Sequence, residues 1–221
     1  MVFRSLRRRM GVGGPAVDTV LDDPSTRPGE TLTGAVHLTG GDRDREIERV
    51  RLTLVTRTGA RAVELVSQDV AGEFRLAKHA SLEVPLRLFV PLTTPVTHVF
   101  GERVPGLAVG VRTDLEVAFA ADPDDLDHIA VHPPEAEAAA LDAFRELGFR
   151  FKAAQPAPQV FEFWTAPQYQ ALATEVSVGF TTRAGDLDVI LNGRVHATVE
   201  RHESVHWVNV VDRLVRQIGQ I

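Results

Sequence analysis

Two histidines and a glutamate near the end of the chain have the spacing of a zinc-dependent hydrolase. They lie in the run His202-Glu203-Ser204-Val205-His206, which matches the pattern HExxH. In zinc peptidases this pattern lies on one helix, where both imidazoles bind the metal and the glutamate acts as general base. A zinc-dependent hydrolase that uses His202, Glu203 and His206 is therefore one interpretation of the sequence.

The residues around this motif weaken the zinc interpretation. Ser204 is a good helix N-cap, and a helix that begins after it leaves His202 outside. A third protein ligand is also required, and Asp212 follows on a different side of the same helix. His196 and Glu200, upstream of the motif, stay open as ligands. We expect a strand-to-helix turn here, and we assign no catalytic residue, cofactor or metal.

Other groups that could bind a metal ion or a phosphate are less complete. Two of the remaining histidines flank an apolar, strand-like run, and the aspartates of the run ADPDDLD lack the glycine and closing glutamate of a calcium loop. The glycines at positions 11–14 lack the Lys-Ser/Thr tail of a phosphate loop, and no serine lies in a G-x-S-x-G elbow. We interpret all of these residues as structural. The candidate ligands are His98, His128, His132, Asp122, Asp124, Asp125 and Asp127.

The composition indicates a folded protein whose partners are not nucleic acids. The chain has 221 residues, of which 44% are hydrophobic, and its net charge of -6 gives no general attraction for a polyanion. Charged residues interrupt every hydrophobic run, so we expect no membrane-spanning helix. Cysteine is absent, which fits a reducing compartment, and we predict a cytoplasmic protein.

The first ten residues, MVFRSLRRRM, predict a short amphipathic helix. The apolar residues of this leader fall on one side of a helix and most of its arginines fall away from that side. The leader lacks the apolar region of a secretory signal. We expect it to dock on its own domain, and weak contact with an anionic membrane surface is the alternative. That contact would be made by Arg4, Arg7, Arg8 and Arg9.

Most of the chain shows the alternation of period two that a half-buried strand requires. From Leu82 to Val90 the apolar residues share one face, and Pro85 indicates an edge strand. Asp18 falls within the first strand, where we hypothesise a buried ion pair with an arginine. Short strands separated by glycine and proline turns predict antiparallel sandwiches. The alternation recurs at positions 31–38, 49–54, 160–164, 175–180, 187–191 and 195–199.

Helical spacing appears in two later segments. Pro134 to Leu147 has apolar residues at helical intervals, and Gly148 is placed to end that helix. Val205 to Ile218 carries one broad apolar stripe and predicts a terminal helix. Asn192-Gly193 predicts a hairpin turn between two strands.

Three blocks of sequence carry a family resemblance. They are AVDTVLDDPSTRPGETLTGAVHLTGG, PLTTPVTH, and VRTDLEVAFAADPDDLDHIAVHP with the LDAFRELGFRFK run beyond it. Through them the chain resembles the bacterial sporulation-control family of arrestin-like proteins. The resemblance implies an all-β fold of two arrestin-like, immunoglobulin-like β-sandwich lobes. We place these at residues 1–122, with the leader helix, and 123–221, with a junction helix and a C-terminal helix.

The same resemblance implies a non-enzymatic regulatory or adaptor protein of sporulation control or cellular development. Such a protein acts through contacts with other proteins, and exposed strand edges could also pair two copies into a homodimer. We expect contact regions, in this order, at the strands near the lobe edges, at the loop from Pro95 to Gly110, and on the exposed face of the last helix. The alternatives are the zinc-dependent hydrolase and a lipid-surface-associated scaffold.

Overall fold

The computed structural model describes residues 8–9, 13–116, 126–156, 158–183, 185–200 and 205–219. Strands dominate these residues, so the predicted all-β class is confirmed. The elements in chain order are β1 (Arg8–Arg9), β2 (Ala16–Leu21), β3 (Ser25–Thr26), β4 (Thr31–Thr39), β5 (Arg45–Ile47), β6 (Arg49–Thr58), β7 (Arg61–Ala71), β8 (Phe74–Leu76), β9 (Ser81–Phe89), β10 (His98–Val99), β11 (Glu102–Arg103), β12 (Leu107–Glu116), β13 (Asp127–Val131), α1 (Glu135–Glu146), β14 (Arg150–Pro156), β15 (Gln159–Trp164), a short 3-10 helix (Pro167–Tyr169), β16 (Glu175–Thr182), β17 (Asp186–Leu191), β18 (Val195–Glu200) and α2 (Trp207–Ile218).

The chain divides into two compact units. The first comprises Met1–Thr97 and Pro105–His132, and the second comprises His98–Val104 and Pro133–Ile221. The division therefore falls after residue 132 and not at the predicted boundary between residues 122 and 123. The physical reason is β13, which follows the acidic run but pairs with β12 and β3 of the first unit. A run of aspartates resembles a linker in the sequence, whereas backbone pairing decides which sheet a strand joins.

The first unit has two main sheets. Their strand orders are β1-β2-β4-β9 and β3-β13-β12-β6-β7, and β5 pairs with β8 in a smaller sheet. β9 ends its sheet, which confirms the edge position that Pro85 predicts, because proline has no N–H to donate to a further neighbour.

Alternate side chains of these strands form the core of the first unit. In β9, for example, Val84, Leu86 and Leu88 are buried, whereas Pro85 and Arg87 between them are exposed. This is the alternation seen in the sequence, now assigned to an inward and an outward face. The core also includes Leu32, Val36, Leu38, Ile47, Val50, Leu52, Leu54, Val109, Val111, Leu115, Ile129 and Val131.

One polar contact joins the two sheets of the first unit. The hydroxyl oxygens of Thr19 on β2 and Thr113 on β12 lie 2.6 Å apart. Thr19 is 8% exposed, so each hydroxyl satisfies the other where little water is available.

The second unit has one antiparallel sheet in the order β14-β15-β16-β17-β18. Helix α2 contacts β17 and β18, and Phe144 of α1 stacks on Phe163 of β15 with ring centroids 4.9 Å apart. The predicted helices at 134–147 and 205–218 are thus confirmed within a few residues. We expected a sandwich of two sheets in this unit, but its described residues form one main sheet. The apolar stripes of the helices provide the second layer against that sheet. Its buried residues include Phe161, Val176, Val178, Leu187, Val189, Leu191 and Val195.

A hairpin of β10 and β11 contributes an aromatic side chain to the second unit. Phe100 has a φ of 55°, in the left-handed region that bulky residues rarely adopt. Its ring packs edge-on against Phe151 and Phe163, at 5.5 and 6.3 Å, and the guanidinium of Arg145 lies 4.7 Å from its centroid. The predicted contact loop from Pro95 to Gly110 is therefore partly a packing element.

The leader differs from the predicted helix where it is described. Arg8 and Arg9 form β1, which pairs with Val17 and Ala16 of β2. The helix prediction is wrong at these two residues, because an extended backbone there shares hydrogen bonds with the edge of β2. Residues 1–7 and 10 lie outside the described residues. In the part of the chain that the structure describes, no helix has both the length and the apolar character needed to cross a bilayer.

Candidate interaction surface

The last histidine of the HExxH motif, His206, does not lie inside a helix. Helix α2 begins at Trp207, and His206 is its exposed N-cap residue. The chemistry of zinc peptidases requires both histidines of the motif on one helix, and His206 does not meet that requirement. His202 and Glu203 lie outside the described residues.

Asp212, the carboxylate that follows the motif on α2, belongs to a hydrogen-bond network. The hydroxyl of Tyr169 donates to Asp212, and the Nε of Arg216 lies 3.0 Å from both carboxylate oxygens. Hydrogen bonds from Arg216, which has the larger effect, and from Tyr169 hold the pKa of Asp212 below its ordinary value. Burial, followed by the bond to Asp212, raises the pKa of Tyr169. The network fastens α2 to the 3-10 helix and leaves Asp212 with a structural role.

The other candidate ligands are dispersed. His98 lies in β10, His128 lies in β13 and His132 follows that strand, while Asp127 is the first residue of β13. Within the described ranges, no three histidine, aspartate or glutamate side chains are arranged to hold a metal ion. Asp122, Asp124 and Asp125 lie outside the described residues.

A groove of about 420 Å³ lies along the outward face of the sheet β1-β2-β4-β9. The register places Asp18 of β2 opposite His37 of β4, and His37 opposite Glu83 of β9. The three side chains therefore form one row across three adjacent strands, and the Nδ1 of His37 lies 3.7 Å from the Oε2 of Glu83. Val20, which is 38% exposed and has the same outward direction as Asp18, adds apolar surface to the groove.

The row combines two carboxylates with one imidazole, which gives the groove an acidic character. Sequence reasoning missed it, because only the pairing of three strands brings Asp18, His37 and Glu83 together. Asp18 lines the groove while its neighbour Thr19 points inward, and one carboxylate oxygen of Asp18 is buried. The ion pair of Asp18 with an arginine stays a hypothesis. The alternation in the sequence shows that the polar residues of the row point away from the core. It does not show which residues of neighbouring strands lie opposite each other.

The long strands at the sheet edges differ in how their outer edge is blocked. Pro85 lies in β9 and has no backbone N–H, and two register shifts give β7 extra residues opposite β6. β14 has a register shift after Phe151 and ends at Pro156. β18 pairs with β17 from Val195 to Glu200 without any shift. Such bulges and prolines are common ways of preventing unwanted strand pairing, and β18 has neither.

These features define a two-unit, β-rich protein of the arrestin-like class. A family model described as SpoOM protein matches residues 3–194, and the chain belongs to that family. The chain is similar to the sporulation-control protein spo0M of Bacillus subtilis (strain 168), with 29% identity over 208 residues, which cover 85% of this chain and 78% of the relative.

A solved structure supports the fold. The crystal structure of Spo0M, the sporulation control protein from Bacillus subtilis, matches 94% of this chain and 100% of its own with a TM-score of 0.79. At 24% sequence identity, this likeness concerns the fold. The predicted family and the predicted arrestin-like, all-β fold are thereby confirmed.

Proposed function

We propose that this protein is a non-enzymatic regulator or adaptor of sporulation control that acts through contacts with other proteins. Membership of the SpoOM family and the similarity to a sporulation-control protein support the regulatory role. The fold supports the contact mechanism, because its outward sheet faces and edges are surfaces on which another chain can lie.

The acidic groove is the observation that carries the contact mechanism. Asp18 and Glu83 flank His37 in one row, and apolar surface from Val20 lies beside them. The exposed carboxylate of Glu83 in this groove favours a partner segment with arginine or lysine, since charge-assisted hydrogen bonds are stronger than neutral ones. Electrostatic complementarity of this kind mainly sets specificity and the rate of association. The proposed partner is therefore a protein with a basic, partly apolar segment.

Affinity capture from cell extract tests the proposal. The bait is the full chain, compared with a double variant, Asp18→Asn with Glu83→Gln, that removes both carboxylates from the groove. Glu48→Gln with Glu73→Gln is the matched control, because both residues are exposed and the net charge changes by the same amount. We expect one reproducible partner to be lost with the groove variant only.

Two results would contradict the proposal. If the wild-type chain retains no protein reproducibly, the adaptor role fails. If the groove variant and the control retain the same partner equally, the adaptor role stands but the groove is not its contact.

The other interpretations stay predictions. Stoichiometric zinc that is lost on His202→Ala would favour the hydrolase, since that motif must bind metal to act. Sedimentation with anionic liposomes that requires the leader arginines would favour the lipid-surface scaffold. The cytoplasmic location stays a prediction as well, and cell fractionation would test it.

A further inference from the structure

β18 is the long edge strand with the fewest obstacles to pairing. Its register with β17 is unbroken over six residues, and it contains neither proline nor bulge. In the sheet of the second unit, it has β17 on one side and no strand among the described residues on the other. His196, Thr198 and Glu200 are exposed. A regular edge of this kind presents backbone N–H and C=O groups to a further strand.

The side chains of β18 are complementary to their own sequence read in the opposite direction. If two copies of the strand pair antiparallel about Thr198, then His196 lies opposite Glu200 of the partner subunit, and the same pair repeats at the other end. An imidazole N–H can donate a hydrogen bond to the glutamate opposite it, and a protonated imidazole adds the attraction of opposite charges. A two-fold axis produces each contact twice.

The other face of the strand is also matched in this arrangement. Ala197, which belongs to the apolar face that also carries buried Val189 and Val195, would lie opposite Val199 of the partner subunit. The apolar faces of the two sheets would then continue into each other without a polar interruption. Five strands from each copy would form one sheet of ten.

We infer that β18 is a self-association surface, through which two copies of this chain join their second units by antiparallel pairing about Thr198. This inference is independent of the acidic groove, which lies in the first unit. It goes beyond the proposed function by identifying the second copy as a partner and β18 as its contact.

Charge substitutions in β18 test the arrangement in the full chain. His196→Glu places two glutamates opposite each other at both ends of the interface, and we expect the dimer to dissociate at least about tenfold more readily. The double variant His196→Glu with Glu200→Lys exchanges the charges, and we expect it to recover most of that loss. Sedimentation equilibrium over a range of concentrations measures the dissociation constants.

His128→Glu is the matched control, since it makes the same substitution at an exposed position of β13, a strand with neighbours on both sides. Its dissociation constant should equal that of the wild type. Melting curves followed by tryptophan fluorescence show whether the β18 variants are folded, because Trp164 and Trp207 both lie in the second unit. Far-ultraviolet circular dichroism does the same for His128→Glu, which lies in the first unit.

Three outcomes would overturn the inference. The first is a wild-type chain that stays monomeric at concentrations on the order of 100 µM. The second is a dimer that His196→Glu leaves unchanged, which would place the interface elsewhere. The third is a folded charge-exchanged variant that dissociates as readily as His196→Glu, because the pairing register would then be different.

Discussion

The two units bury strands of the same kind against different layers. In the first unit, two main sheets bury alternate side chains of their strands, as Leu54 of β6 and Leu88 of β9 illustrate. In the second unit, a single sheet is contacted by α1 and α2, and aromatic rings such as Phe144 and Phe163 fill the space. Branched aliphatic residues suit sheet-on-sheet packing, whereas the helix layer is joined to its sheet by larger rings.

This difference explains why the period-two alternation predicted the strands but not the layers. Alternation shows that one face of a strand is buried and does not say what covers that face. The helices α1 and α2 were predicted from the sequence, yet their role as a covering layer depends on contacts between distant segments.

The largest effect is expected from Phe163→Ala in the second unit. Phe163 is fully buried and contacts the rings of Phe100, Phe144 and Phe151. Removing a large buried ring costs about 3–5 kcal/mol of unfolding free energy. Urea unfolding followed by tryptophan fluorescence measures the loss, because both tryptophans of the chain lie in this unit. A change under about 1 kcal/mol would show that the ring cluster is not the core of this unit.

Leu54→Ala is the counterpart in the first unit, and we expect a loss of about 2–5 kcal/mol. Leu54 is fully buried in the core of that unit. The change should appear in far-ultraviolet circular dichroism at urea concentrations where the tryptophan signal is still native, because each unit has its own core. Coincident transitions by the two probes would contradict the separation of the cores.

Thr19→Val tests the polar contact between the two sheets of the first unit. The variant leaves the part-buried hydroxyl of Thr113 without its partner, and losing such a hydrogen bond costs about 1–1.5 kcal/mol. The double variant with Thr113→Val should recover most of this loss, since neither hydroxyl then remains. A double-mutant cycle measured by urea unfolding gives the coupling, and purely additive losses would reject it.

Asp212→Asn tests how α2 is held, and its effect is expected to be the smallest, about 1 kcal/mol at neutral pH. The folded-state pKa of Asp212 is lowered, chiefly by Arg216 and then by Tyr169. Its stabilising effect is therefore present above the unfolded pKa of about 3.9 and is lost as the pH falls through the folded value. Urea midpoints of wild type and variant should converge in acid. A constant difference from neutral pH to about pH 3 would contradict this assignment.

Local signals in the sequence predicted much of the fold. Pro85 indicated an edge strand, Gly148 ended α1, and Asn192 and Gly193 both adopt the positive φ of a hairpin turn. The leader was less predictable, because the same residues fit a helical stripe as well as the strand β1. What decided between them at Arg8 and Arg9 was a free edge of β2, which no local pattern reveals.

The candidate surfaces were harder to predict than the fold. Asp18, His37 and Glu83 come from three strands that are distant in the sequence, and only their register makes them neighbours. The motif around His206 shows the opposite error, because its spacing fits metal chemistry whereas α2 begins only at Trp207, after the motif. Spacing along one segment indicates a site only when the expected element includes all of its residues.

The hairpin that carries Phe100 has a consequence for dividing this protein into fragments. Its residues, 98–104, precede the last strands of the first unit in the chain but belong to the second unit. A gene fragment that begins at Pro133 therefore lacks the ring that packs on Phe151 and Phe163. On the ribosome, likewise, this hairpin is synthesised before β12 and β13. It can pack against the second unit only after residues 133–221 have been synthesised.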